Sequence, residues 1–146
     1  NMRLEGPCTT GGWFDVDRGL MFRRGSEERV TAKRRNPAPI PRQLLGHLRR
    51  WKANGDMWAV QINGNRIGSI KKAFRAVAIE AGQDSSVVTP HILKHTAITW
   101  AMQNGATIED AAGFFSTSTE TIERVYWHHS PRFQQSAVAA IEGKRA

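Results

Sequence analysis

Leu44, Leu45, Leu48 and Trp51 recur at helical spacing and the run stops at Gly55, which predicts an amphipathic helix opening at Pro41. Upstream the period is shorter. In WFDVDRGLMFRR, residues 13–24, two apolar runs flank a turn at Asp17-Arg18-Gly19, and GSEE supplies another turn before RVTAKRR. Three short antiparallel strands are expected in the first 41 residues. Proline lacks the N–H that a ladder needs, so the Pro-rich NPAPIP is expected to lead out of the sheet. WAVQINGNRIG reads as a strand entering an Asn63-Gly64 turn. Ser69 then caps a helix with Ile70, Ala73, Phe74 and Val77 inside, ending near Gly82.

The last third of the chain reads as helical throughout. Thr89 and Pro90 are a cap and a first-turn residue for a helix with Ile92, Leu93 and Ala97 on its apolar side. Thr107 with Asp110 and Thr117 with Glu120 have capping-box spacing, predicting helices over 108–115 and 118–127. Ile122, Val125 and Tyr126 share one face of the second. After Ser130-Pro131 a final helix carries Phe133, Ala137, Val138 and Ile141. The expected fold is mainly α with a small antiparallel β-sheet (α+β), as one domain over residues 1–146 with no repeat or internal boundary.

Composition adds a partner class. Hydrophobic residues make up 40 % of the 146, with five Trp and six Phe, enough to fill one core and to exclude a disordered chain. Lys plus Arg number 21 against 13 for Asp plus Glu, a formal charge of +8 that favours a polyanion, nucleic acid before membrane surface. A single cysteine, Cys8, rules out an internal disulfide and points to the reducing cytoplasm. No apolar run approaches the ~18 residues of a membrane span, so no membrane partner is expected.

Candidate chemistry concentrates in TPHILKHTAITW, residues 89–100. His91 and His95 have the i, i+4 spacing of a metal pair, yet no Glu follows the first histidine, and Lys94 adds positive charge where a cation would bind. No metal is therefore expected. His91 and Lys94, one turn apart, alternatively form a phosphate-gripping face, or the helix start is polar with no task. STSTETIERVYWHH permits a helix-turn-helix reading, although its second helix offers only Arg124 as a cation.

Taken together, residues 89–129 resemble the carboxy-terminal signature of the tyrosine recombinase (phage integrase) family. That pattern runs His-x-x-Arg-His, an apolar helix ending in Asn-Gly, Leu-Gly-His-Ser, and a nucleophilic tyrosine nine residues on. His91, His95, Asn104-Gly105 and Tyr126 fall in register with it. Upstream, WFDVDRGLMF is similar to the family's first hairpin, and TAKRRNPAPIP to its lysine-bearing β-turn with a Pro-rich exit. The resemblance implies an integrase-like DNA breaking-rejoining catalytic core, here without the amino-terminal core-binding domain. It implies site-specific recombination (DNA integration) of double-stranded DNA, for a phage or another mobile element, through a 3′-phosphotyrosine intermediate. No cofactor is implied, because the covalent link conserves the bond energy.

Carried over residue by residue, the resemblance makes Tyr126 the nucleophile, His91 the first histidine and Lys33 the turn lysine that protonates the leaving oxygen. Lys94 stands where the second phosphate-clamping arginine belongs, keeping the charge and losing the planar fork. Thr117 occupies the second-histidine position, where it cannot act as an acid or base; its structural reading is a helix cap. The first arginine falls near Leu4, one residue from Arg3, and EGPCTTGG replaces the helix expected after it. Either Arg3 is that clamp with a slipped loop, or the chain starts after the true one.

Arg23, Arg24, Arg34, Arg35 and His95 are candidate DNA contacts, with His95 more readily placed as a supporting residue, as are His128 and His129. The family's final helix docks on a neighbouring protomer, so a homo-oligomer on DNA through residues 132–142 is expected. The substitutions predict weak or absent cleavage with retained DNA binding. The alternatives are a non-catalytic DNA-binding integrase relic and a helix-turn-helix-like DNA-binding protein.

Overall fold

The computed structural model describes residues 2–29 and 35–143. It is α+β, with six α-helices and two small antiparallel sheets among the described residues. The contacts fall into two compact units, Asn1–Ala73 and Phe74–Ala146.

In the first unit, β1 (Trp13–Asp15) and β2 (Leu20–Phe22) form the expected hairpin, with Phe14 opposite Met21 and Gly19 taking the positive φ that closes the turn. The third strand departs from expectation. Residues 30–34 of RVTAKRR lie outside the described residues, and β3 is Ala38–Pro39, inside the Pro-rich stretch that should have left the sheet. Proline is tolerated there because β3 is the edge of the order β1-β2-β3, and the next residue restores a bond: Ile40 N donates to Gly19 O at 2.8 Å. A further segment, Met2–Leu4, is stitched in by Phe14 N to Arg3 O (2.9 Å) on one side and Leu4 N to Met57 O (3.0 Å) on the other. The second turn lies against Thr9, whose carbonyl oxygen comes within 2.1 Å of where a Cβ on Gly25 would stand, so only glycine fits.

Helix α1 (Arg42–Ala53) runs from Pro41 to Asn54 and places Leu48, fully buried, against Leu4, Phe14, Val16 and Ile40. The predicted stripe of Leu44, Leu45 and Trp51 packs onto that cluster. The Asn63-Gly64 pair, with φ of 49° and 75°, closes a hairpin of β4 (Gln61–Ile62) and β5 (Asn65–Arg66).

Helix α2 (Lys71–Glu80) follows Ser69, whose Oγ accepts from Lys71 N at 3.4 Å. Its expected inner face is not buried: Ile70 and Val77 are exposed, Phe74 is half-buried and Ala78 is the buried residue. The periodicity shows the stripe without showing what covers it.

The second unit is built on α3 (Pro90–Gln103), α4 (Ile108–Phe115) and α5 (Thr119–Tyr126), followed by a 3₁₀ turn (Trp127–His129) and α6 (Gln135–Glu142). Pro90 opens α3 as expected, but the helix buries Ile98 and Met102 and leaves Ile92 and Leu93 exposed. Thr107 caps α4 by accepting from Asp110 N at 3.1 Å. The cap of α5 is Ser118, which accepts from Thr121 N at 3.1 Å; the capping role read for Thr117 belongs to its neighbour. A left-handed Ser116, φ 52°, ends α4 and uses up the residues in which a Thr117 cap would have been set.

Ile98, Met102, Ala111, Ala112, Ile122 and Tyr126 form this unit's core. Ile122 has no exposed surface, so Ile122→Ala is expected to cost about 2–5 kcal/mol, lowering the urea midpoint of a signal from this unit. Helix α6 leaves Val138 and Ile141 exposed. No helix among the described residues is long and apolar enough to cross a membrane.

Candidate active site

The second unit brings together two side chains separated by 31 positions. Tyr126 closes α5, on the face that Ile122 begins one turn earlier, so the packing that buries Ile122 also buries the tyrosine ring, 5 % exposed. On α3, His95 lies one turn before the helix reaches its buried Ile98 and Met102 side. Its Nδ1 is hydrogen-bonded to the Tyr126 hydroxyl, with ring centroids 5.9 Å apart. With the imidazole neutral and protonated on Nε2, the tyrosine hydroxyl donates and Nδ1 accepts. His91, exposed one turn earlier, continues the line, its ring centroid 6.2 Å from that of His95.

Burial raises the Tyr126 pKa above its ordinary 10.0, because desolvation disfavours the phenolate. Near neutral pH this oxygen is therefore protonated, and a nucleophilic role requires a proton acceptor within hydrogen-bond reach, which His95 supplies. The same shift has a sign for stability. A group whose folded pKa exceeds its unfolded value stabilises the fold below the unfolded value and loses that contribution as pH rises through the folded one. Stability of the second unit is thus expected to fall above pH 10.0, and Tyr126→Phe should remove that part of the loss in melting curves recorded from pH 9 to 11 (roughly the range of phenol titration).

Lys94 is exposed beside His95 on α3, one turn from His91. Thr117 is half-buried and its backbone N–H donates to Ala112 O at 3.0 Å. The imidazoles of His128 and His129 lie 4.0 Å apart in the turn that follows Tyr126. Among the described residues no group of three or more His, Cys, Asp or Glu side chains gathers as a metal site would require.

Arg3, Arg23, Arg24 and Arg35 belong to the first unit, and Lys33 and Arg34 lie outside the described residues. Arg23, Arg24 and Arg35 line a cleft of about 290 Å³ beside Trp13 and Phe22, whose rings are stacked 4.2 Å apart. Burial lowers the Arg23 pKa, which still leaves a guanidinium charged at neutral pH, and Arg35 also pairs with Glu28 at 3.6 Å. Such a cleft suits phosphate oxygens.

Arg3 occupies the bridge between Trp13 and Trp58, with its Nε buried and without a hydrogen-bond partner. No helix follows it before β1. His95, a candidate DNA contact more readily placed as a supporting residue, is the one that meets Tyr126, while Arg66 and Trp58, near Arg3, carry no local motif. Comparison of the chain with protein-family models, curated proteins and solved structures finds no match.

Proposed function

We propose that this chain is a divergent tyrosine recombinase catalytic core that binds double-stranded DNA and cleaves and rejoins it through Tyr126. The observation that supports this most is the pairing of the buried Tyr126 with the Nδ1 of the exposed His95, on a helix that also presents Lys94 and His91. A buried tyrosine hydroxyl takes a hydrogen-bond partner whatever its role, so the weight falls on the kind of partner: an imidazole nitrogen, unlike a backbone carbonyl, can accept the proton that a nucleophile must lose.

In the proposed reaction the Tyr126 oxygen attacks a backbone phosphorus while His95 takes its proton. A P–O bond to the tyrosine forms as the bond to the 5′-oxygen breaks. That oxygen leaves as a hydroxyl after receiving a proton from Lys33, the role that the resemblance gives the turn lysine. A 5′-hydroxyl of another strand then reverses the step. Lys94 and His91 neutralise charge on the nonbridging oxygens.

Lys94 offers a point charge in place of a two-pronged donor, and Thr117 offers no acid or base, so the reaction is slow. These two positions also favour the second reading, a relic that binds DNA without cutting it. Both readings predict salt-sensitive duplex binding, which the charge of +8 favours, and both suit a cytoplasmic protein. The exposed Val138 and Ile141 of α6 agree with assembly on DNA through that helix.

Covalent trapping separates the readings. On nicked duplexes that lose the freed 5′-hydroxyl fragment, the wild-type chain should accumulate a denaturation-resistant protein–DNA adduct and Tyr126→Phe none. Equal DNA binding by both, with no adduct from either, would leave the relic.

A further inference from the structure

We propose that Arg66 is a phosphoryl-gripping residue of a cleft that it forms with Arg3 and Trp58 in the first unit. The Asn63-Gly64 turn sets Arg66 on β5 across from Gln61, and the guanidinium lies 5.3 Å from the centroid of the Trp58 ring. Arg3 approaches the same indole at 5.6 Å. Two guanidinium groups repel, and the shared indole offsets part of that repulsion by cation–π attraction, so the pair is held in place before any anion arrives. They line a cleft of about 310 Å³, larger than a phosphate needs and open enough for a substituted one.

Two observations point to an anionic occupant. Arg3 Nε is buried and unpartnered, so the protein itself gives this guanidinium no acceptor there. The single lining carboxylate, Glu28, is already engaged: one oxygen accepts from Gly11 N at 2.7 Å and the other pairs with Arg35 at 3.6 Å. Neither Arg3 nor Arg66 forms an ion pair among the described residues. Several N–H donors converging on one small volume suit the tetrahedral oxygens of a phosphoryl group. A backbone phosphodiester of duplex DNA is the natural occupant, and in naming it the inference rests on the proposed function; the site itself does not.

The full chain can be titrated with inorganic phosphate at constant ionic strength, following ³¹P line broadening, for wild type, Arg66→Gln and Arg18→Gln. Arg66 is exposed and Arg18 lies in the β1–β2 turn, so both variants should keep the wild-type melting curve. Saturable broadening that weakens about tenfold in Arg66→Gln and persists in Arg18→Gln is expected. Absence of saturation, or equal behaviour of wild type and Arg66→Gln, would overturn the site.

A second arm measures duplex binding against salt. A fall of about 0.9 in the slope of log K against log salt for Arg66→Gln assigns the cleft to a backbone phosphate. Lost phosphate binding with an unchanged slope keeps the site but overturns the DNA occupant in favour of a free phosphate or mononucleotide. The Tyr126 adduct is scored separately, so failure of this site and failure of the recombinase reading give different results.

Discussion

Lys94→Arg should raise the rate of adduct formation on a nicked duplex by about tenfold to a hundredfold, with DNA affinity nearly unchanged. The substitution keeps the formal charge, so the long-range attraction that governs binding is retained. What changes is geometry. A guanidinium presents paired N–H donors to two nonbridging oxygens, whose charge grows as the phosphorus becomes five-coordinate, whereas an ammonium grips them as a point. Removing one such preorganised donor from an enzyme costs roughly 10²–10³ in rate, and restoring one should recover part of that. Lys94 is exposed on α3, so the longer side chain meets no packed core. An unchanged rate would move the limiting defect to Thr117, where Thr117→His is the corresponding repair.

His95→Gln should lower adduct formation by about 10² to 10⁴, the range lost with a general base. The pH profile separates a proton acceptor from a packing residue. The variant should gain rate only toward alkaline pH, because burial has raised the Tyr126 pKa and the phenol must then ionise unaided. A residue acting by packing alone would lower the melting temperature and DNA binding together while leaving the shape of the profile unaltered.

The pairing of His95 with Tyr126 is not legible in the sequence, for a physical reason. Helical spacing shows that His91 and His95 share a face of α3, but the partner lies 31 residues away, across the contact of α3 with α5. No local pattern carries that distance. By contrast, the β1–β2 turn at Asp17-Arg18-Gly19 and the bounds of α4 were legible, because turn geometry and the Thr107 cap are decided within four residues.

The edge strand Ala38–Pro39 was hidden by its prolines, which exclude a central strand and permit an edge one. Thr117 and Ser118 both have the hydroxyl a cap of α5 requires, so the pattern alone does not choose between them. The left-handed Ser116 is what selects Ser118. Arg66 and Trp58 were silent for a different reason: their meeting with Arg3 depends on a bridge between segments more than 50 residues apart.

Whether Tyr126 is the nucleophile is decided by digesting any trapped protein–DNA adduct and identifying the modified residue by mass spectrometry, using wild type, Lys94→Arg and Tyr126→Phe. A nucleotide joined through phosphate to the Tyr126 peptide is expected, more abundant in Lys94→Arg and missing in Tyr126→Phe. An adduct that survives in Tyr126→Phe, or that maps to another residue, would contradict a nucleophilic Tyr126.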